Sequence, residues 1–228
     1  MHLSQRPLRI ALIRHGESEA NLDKSIFERM PDHSIPLTEH GREQSAATGK
    51  RLRALFENEP VRVYVSPYQR VLQTLDALGL DDLIGLAQEE PRLREQDWAN
   101  WQDTEEIERQ EVLRDDYGHF FYRFTDGESG ADVYDRVSTF LETMHRDFET
   151  PEAPRNILVV SHGLTMRLFC MRWFHWSVDF FETLSNPGNG ETQVLVRQPD
   201  FRYKLDRPFG RRQWCDYEPT EEERSAWL

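Results

Sequence analysis

The sequence predicts an α/β protein three layers deep, α/β/α, with helices on both faces of a mostly parallel central sheet. Three short apolar runs, at 8–13, 61–66 and 156–160, are rich in β-branched residues and have the length of buried strands. Helical patterns alternate with them, and that alternation implies right-handed crossovers and a sheet covered on both sides. No internal repeat, low-complexity tract or Gly/Ser linker divides the 228 residues, so residues 1–228 read as a single domain.

The first run ends in Arg14-His15-Gly16. After a polar, Pro-containing segment, Thr38 suits the N-cap of a helix that carries Ala46, Gly49, Leu52 and Phe56 at three- to four-residue intervals and runs to about Asn58. The second run leads into Pro67, well placed in the first turn of a helix through about Leu78. From 81 to 130 the periodicity weakens while acidic, aromatic and Gly residues mix, which predicts a cap insertion with short helices rather than a sheet element. Ser129, with Asp132 three residues on, opens a helix striped by Val133, Val137, Phe140, Leu141, Met144 and Phe148. The third run leads into Ser161-His162-Gly163 and an apolar helix over 164–176, and strands at 192–196 and 202–205 complete the sheet. The acidic tail at 207–228, including Glu218, Glu221, Glu222 and Glu223, reads as a solvated helix start without chemistry.

Composition sets limits on function. With 38% hydrophobic and 11% aromatic residues the chain can bury a core, and with 30% charged residues its surface is polar. Mean hydropathy is -0.74. A net charge of -13 with no basic block argues against nucleic acid as a partner. No apolar run approaches the ~20 residues that cross a bilayer, and the opening residues lack the apolar stretch of a signal peptide. No membrane association and a cytoplasmic location are therefore expected. Cys170 and Cys215 have no ligand-type spacing and are expected to be reduced, unpaired thiols. His33, His40, His119, His145 and His175 read as surface or hydrogen-bonded residues, no two of them spaced to hold a metal. Trp98, Trp101, Phe120, Phe121 and Tyr122 read chiefly as burying the cap, with a pocket wall as the other reading. Nothing in the pattern sets an oligomeric state.

In an open α/β sheet, ligands sit beyond the carboxyl ends of the strands. The three clearest strands lead into Arg14-His15, into Ser66 with Arg70 one turn later, and into Ser161-His162. Transfer of a phosphoryl group from a monoester needs a nucleophile, donors around the equatorial oxygens and an acid for the leaving alkoxide. His15 as a neutral imidazole supplies the first, in a covalent route that divides one hard displacement into two. Arg14 and Arg70 supply planar forks that lysine cannot imitate. His162 supplies another preorganised donor, and Glu95, protonated beside a phosphate dianion, supplies the acid.

The run Leu12-Ile13-Arg14-His15-Gly16-Glu17-Ser18-Glu19-Ala20-Asn21 resembles the signature of the histidine phosphatase superfamily, which includes the cofactor-dependent phosphoglycerate mutases. Val65-Ser66-Pro67-Tyr68-Gln69-Arg70 resembles that family's second arginine motif, Leu93-Arg94-Glu95 its acid motif and Val159-Val160-Ser161-His162-Gly163 its second histidine motif, a likeness that spans roughly 8–196. The resemblance implies a phosphoglycerate-mutase-like fold, a phosphohistidine at His15, Glu95 as proton donor, and a phosphate pocket of Arg14, Arg70 and His162, with Ser18, Asn21 and Gly163 beside it. It implies no metal and no cofactor, and a small phosphorylated metabolite as partner.

Pro31-Asp32-His33, the stretch 93–102 and 120–124 with Gly127-Glu128-Ser129 resemble a phosphatase-like branch of fungi, plants and bacteria. That branch places Phe-Gly where this chain has Trp98-Ala99, so a backbone needing positive φ there meets a side chain. The chain also lacks the Glu-Arg-His-Tyr-Gly run of true phosphoglycerate mutases. Hydrolysis of phosphomonoesters is the expectation. A phosphomutase and a catalytically silent phospholigand-binding protein are the alternatives.

Overall fold

A computed structural model of the chain describes residues 6–99, 103–150, 153–212 and 217–227. Its sheet has six strands: β1 (Arg9–Arg14), β2 (Val61–Val65), β3 (Ile84–Glu89), β4 (Asn156–Ser161), β5 (Thr192–Arg197) and β6 (Tyr203–Leu205). They lie in the order β3-β2-β4-β1-β5-β6. The ladders joining β3, β2, β4 and β1 are parallel, whereas β5 runs antiparallel to both β1 and β6. The described helices are α1 (Glu19–Leu22), α2 (Glu39–Leu55), α3 (Gln69–Ala77), α4 (Thr104–Tyr117), α5 (Gly130–Asp147), α6 (Gly163–Phe174), α7 (Val178–Thr183) and α8 (Glu221–Arg224).

The period-two alternation of the strands builds the expected three layers. Ile10, Leu12, Ile157 and Val159 face one core, shared with Val133, Val137 and Phe140 of α5 and Leu168 and Phe169 of α6. Ala11, Ile13, Leu158 and Val160 face the other, with Leu52 of α2 and Val71 of α3. Each fully buried aliphatic or aromatic side chain contributes about 2 kcal/mol, so the central strands are held from both sides.

The caps read from the sequence form. Thr38 Oγ1 accepts from Gly41 N–H at 2.9 Å. The Ser129 N–H donates to Asp132 Oδ2 at 2.6 Å and the Asp132 N–H to Ser129 Oγ at 3.3 Å, a reciprocal pair that opens α5.

Three segments differ from expectation. Ile84–Glu89, inside the stretch read as a cap of short helices, is the edge strand β3. Its side chains are largely exposed, so it carries no apolar alternation and is held by its backbone ladder to β2. After α6, a second helix, α7, starts at Ser177, whose hydroxyl accepts from Phe180 N–H at 3.1 Å, and it buries Phe180 and Phe181. The acidic tail does start a helix, with Glu218, Glu221 and Glu222 exposed as read, but Glu223 is docked: it accepts from Ser177 Oγ at 2.6 Å and from Tyr217 OH at 2.9 Å, and Leu205 N–H donates to Ala226 O at 2.7 Å. Cys170 is buried and unpaired, while Cys215 lies outside the described residues. No described helix is long and apolar enough to cross a membrane.

Close backbone contact seats the loop after β1 on α2. A Cβ on Gly16 would stand 2.3 Å from Gly41 O, and one on Gly41 would stand 2.0 Å from Glu17 O. Both positions therefore require glycine, and the loop beyond His15 cannot lift away from the helix without opening this crossing. Gly41→Ala is expected to lower the unfolding free energy by about 3 kcal/mol through overpacking. Urea denaturation measures it, and unchanged stability would mean that the two segments do not meet so closely.

Candidate active site

Arg14 stands opposite Ser161 in the parallel register of β1 and β4, so His15 and His162 leave the sheet side by side. The His15 N–H donates to Ser161 O at 3.0 Å and carries the ladder one step past the strands. On the other flank of β4, Ser66 N–H donates to Val160 O at 3.0 Å, which brings the end of β2 to the same edge.

The His15 side chain is buried, with Nδ1 2.7 Å from Gly16 O. A carbonyl oxygen only accepts, so the ring proton sits on Nδ1 and Nε2 keeps its lone pair. Burial, with Arg70 and Arg14 close by, holds this imidazole well below the usual histidine value, and the ring is neutral. His162 is fully buried behind it, its ring edge-on to His15 at 5.3 Å between centroids. Ser66 Oγ lies 2.9 Å from His162 Nε2. His162 Nδ1 has no hydrogen-bond partner and lies 3.5 Å from a Glu95 oxygen. Burial first, and Arg70 and His15 next, lower the His162 pKa as well.

Glu95 is set by its loop. Arg136 of α5 donates to Arg92 O at 2.6 Å, Arg94 O at 2.9 Å and Glu95 O at 3.0 Å, while Glu128 holds the same guanidinium at 2.9 Å. From β4, Ser161 Oγ donates to Leu93 O at 2.7 Å. Burial raises the Glu95 carboxyl above its ordinary value, with Arg70 opposing. Arg70 Nη1 donates to Asp32 O at 2.7 Å and Asp32 Oδ1 at 2.8 Å, and its guanidinium carbon lies 5.0 Å from the centre of the Tyr68 ring. Arg14 Nη1 donates to Pro187 O at 2.7 Å.

Arg14, His15, Ser18, Asn21, Arg70 and Glu95 line one cavity of about 480 Å³. His162 is not in its wall but one layer behind His15, and Gly163 faces Asn186, where a Cβ would come within 2.9 Å of that side chain. Asn21 Oδ1 accepts from Ser18 N–H at 2.9 Å and from Asn189 Nδ2 at 3.1 Å, so the first motif is knitted to the segment before β5. Sequence reading missed Asn189, although the turn residues Pro187, Gly188 and Gly190 around it mark a loop beside a strand start. It also missed the anchoring by Arg136 and the pairing of Arg70 with Asp32. His33, read as a surface or hydrogen-bonded residue, lines the cavity. Trp98 lines it too and stacks on Phe124 at 4.7 Å, whereas Phe120 is buried and Phe121 exposed; Trp101 lies outside the described residues.

Ligating atoms of His15, Glu95 and His162 all lie within 4.8 Å of one another, a donor set that by type suits a divalent cation. Arg14 and Arg70, close enough to depress both histidines, turn the field at that point toward anions instead. Two forks, a neutral ring nitrogen and a carboxyl raised toward its protonated form are together what a phosphate ester needs.

Comparison with known proteins agrees with this chemistry. The family model of the histidine phosphatase superfamily (branch 1) matches residues 10–205. The chain is 44% identical to the phosphoglycerate mutase-like protein AT74 of Arabidopsis thaliana, over 97% of this chain and 72% of that protein. It is 30% identical to the broad-range acid phosphatase DET1 of Saccharomyces cerevisiae, over 83% of this chain and 85% of that one. The solved structure of Bacillus stearothermophilus YhfR superposes with a TM-score of 0.69 at 23% identity, covering 86% of this chain and 94% of that chain, a likeness of fold.

Ala99, at the position where the resembling branch has glycine, adopts the left-handed conformation with φ 65°. The chain keeps the glycine-type backbone beside Glu95 and bears the strain, on the order of 1 kcal/mol for an alanine. Ala99→Gly is expected to raise stability by about that amount. Thermal unfolding measures it, and a lower midpoint would mean that the Ala99 methyl packs usefully.

Proposed function

This chain belongs to the histidine phosphatase superfamily and is an enzyme of the phosphatase kind, and we propose that it hydrolyses phosphomonoesters through a phosphohistidine on His15. The observation that carries the proposal is the contact of His15 with Gly16: Nδ1–H donates to the Gly16 carbonyl, which leaves Nε2 with its lone pair at a cavity flanked by two arginines.

Arg14 and Arg70 bind the equatorial oxygens of the ester, which their fixed forks match. His15 Nε2 forms the bond to phosphorus as the bond to the leaving oxygen breaks, and protonated Glu95 gives its proton to that oxygen. The Glu95 carboxylate then takes a proton from water as the water oxygen attacks phosphorus. Phosphate departs, and His15 returns to its neutral form. A hydroxyl of Ser66 donating to His162 Nε2 leaves the His162 proton on Nδ1, a preorganised donor toward the charge that develops beside Glu95. None of these steps calls on a metal or cofactor, and the substrate is a small phosphorylated metabolite.

His15→Ala is expected to abolish release of phosphate from p-nitrophenyl phosphate, and the wild type to carry acid-labile phosphate on His15 during turnover. Undiminished hydrolysis by the variant would overturn the proposal. Glu95→Gln is expected to cut steady-state turnover by roughly 100-fold or more while phosphoenzyme accumulates. Two opposite shifts set the pH profile. His15 must be unprotonated and its pKa is depressed, so the active form persists into acid; Glu95 must be protonated and its pKa is raised, so activity fades as pH climbs through that raised value. A bell with its maximum on the acid side of neutrality is expected for kcat/KM, and a rate that still climbs beyond neutral pH would count against Glu95 as the acid.

A further inference from the structure

Among the described residues, the cavity holds a cation, Arg114, that neither the proposed chemistry nor an ion pair uses. Among its described cationic side chains, Arg70 is paired with Asp32, Lys24 with Glu111, and Arg14 donates to the Pro187 carbonyl. Arg114, in the last turn of α4, also lines the cavity. Its guanidinium carbon lies 4.8 Å from the centre of the Trp98 ring and 5.5 Å from that of Phe124. No described carboxylate or carbonyl accepts from it, and its Nε is out of solvent without a partner.

Asp115, Glu111 and Glu95 are the acids whose charge reaches it, and none hydrogen-bonds to it; Glu95 is the proposed acid, which burial holds toward its protonated form, and the others, with Glu182 close to the same turn, are engaged elsewhere. Glu111 holds Lys24, Asp115 meets His119 Nε2 at 2.5 Å, and Glu182 accepts from the backbone N–H groups of His119 and Phe120 at 3.0 and 2.7 Å. Behind the wall, fully buried Arg167 donates to Asn186 Oδ1 at 3.1 Å, and Asn186 itself lines the cavity. Burial, with Arg212 and Arg114 nearby, brings Arg167 down to about 9.

The Trp98 ring under the guanidinium carbon holds the cation at the cavity wall without using any of its N–H donors. A guanidinium fits a carboxylate or a phosphate in bidentate fashion. We infer that Arg114 binds a second anionic group of the substrate, so that the esters this enzyme takes carry a carboxylate or another phosphate apart from the phosphate that is cleaved. The inference rests on the phosphomonoesterase reading and narrows its substrate class.

Two matched pairs test it. Glycerol phosphate and phosphoglycerate share a carbon chain and differ by a carboxylate; glucose monophosphate and glucose bisphosphate differ by a phosphate. The wild type is expected to favour the more anionic member of at least one pair, and the pair that shows the preference tells which anion is read. Arg114→Met is expected to lower that preference in kcat/KM by about tenfold or more, mainly through KM, and Arg114→Lys to restore part of it. An unchanged ratio in both pairs, whether rates fall together or not at all, overturns the inference. So does a wild type that prefers neither anionic ester, a result that needs no variant to fold. If no ester releases phosphate, the hydrolase reading fails instead, and titration calorimetry of the same pairs with wild type and Arg114→Met still reads the preference as a ratio of affinities.

Discussion

Parallel pairing of β1 with β4 governs the site. Arg14 faces Ser161 across that ladder, and the next residue on each strand is a histidine. No side-chain contact is needed to bring the rings together, because the register does it, and the amide of His15 on the carbonyl of Ser161 extends it by one bond. A slip of one residue would turn Arg14 to the opposite face of the sheet and remove Ile13 and Leu12 from their cores. The apolar alternation that stabilises the strands is therefore the same pattern that aligns the two histidines, and the Gly16 and Gly41 crossing anchors the loop beyond His15.

Electrostatics at that edge run against the chain as a whole. The protein is strongly acidic, yet Arg14, Arg70 and Arg114 share one cavity. Burial and the arginines together keep both histidines uncharged, while burial keeps Glu95 toward its protonated form. Neutral imidazoles and a carboxyl held toward its protonated form thus stand beside Arg14 and Arg70, an arrangement that suits a phosphate dianion. Desolvation is the largest cause of each of these three shifts, so the cavity's shape sets its chemistry as much as its residues do.

Much of this was legible in the sequence, and the parts that were not share a physical cause. β1, β2 and β4 are buried on both faces and so carry dense β-branched runs; Thr38 and Ser129 announce their helices because capping is local chemistry. His15, Arg70, Glu95 and His162 could be named because three of them come just after those runs and all sit in recognisable motifs. β3 could not be read, since its side chains face solvent and its pairing is made by backbone groups every residue has. Arg136 and Arg114 look like ordinary surface charges on polar helix faces. Only the folded arrangement puts one under the Glu95 loop and the other against Trp98. The docking of Glu223 was equally hidden, because an acidic run announces solvation unless partners such as Ser177 and Tyr217 arrive from elsewhere.

The sheet order has a temporal side. β1 precedes the other five strands along the chain, yet it lies inside the sheet, between β4 and β5. Its two edges stay unpaired until the chain has grown through residues 156–161 and then 192–197. Throughout that interval β1 is an apolar strand with open ladders, the kind of segment that sticks to other chains, and non-local pairing of this sort is slow. Residues 6–155 on their own would hold Arg14, His15, Arg70 and Glu95 but neither β4 nor His162, so the two histidines come side by side only after β4 has paired with β1.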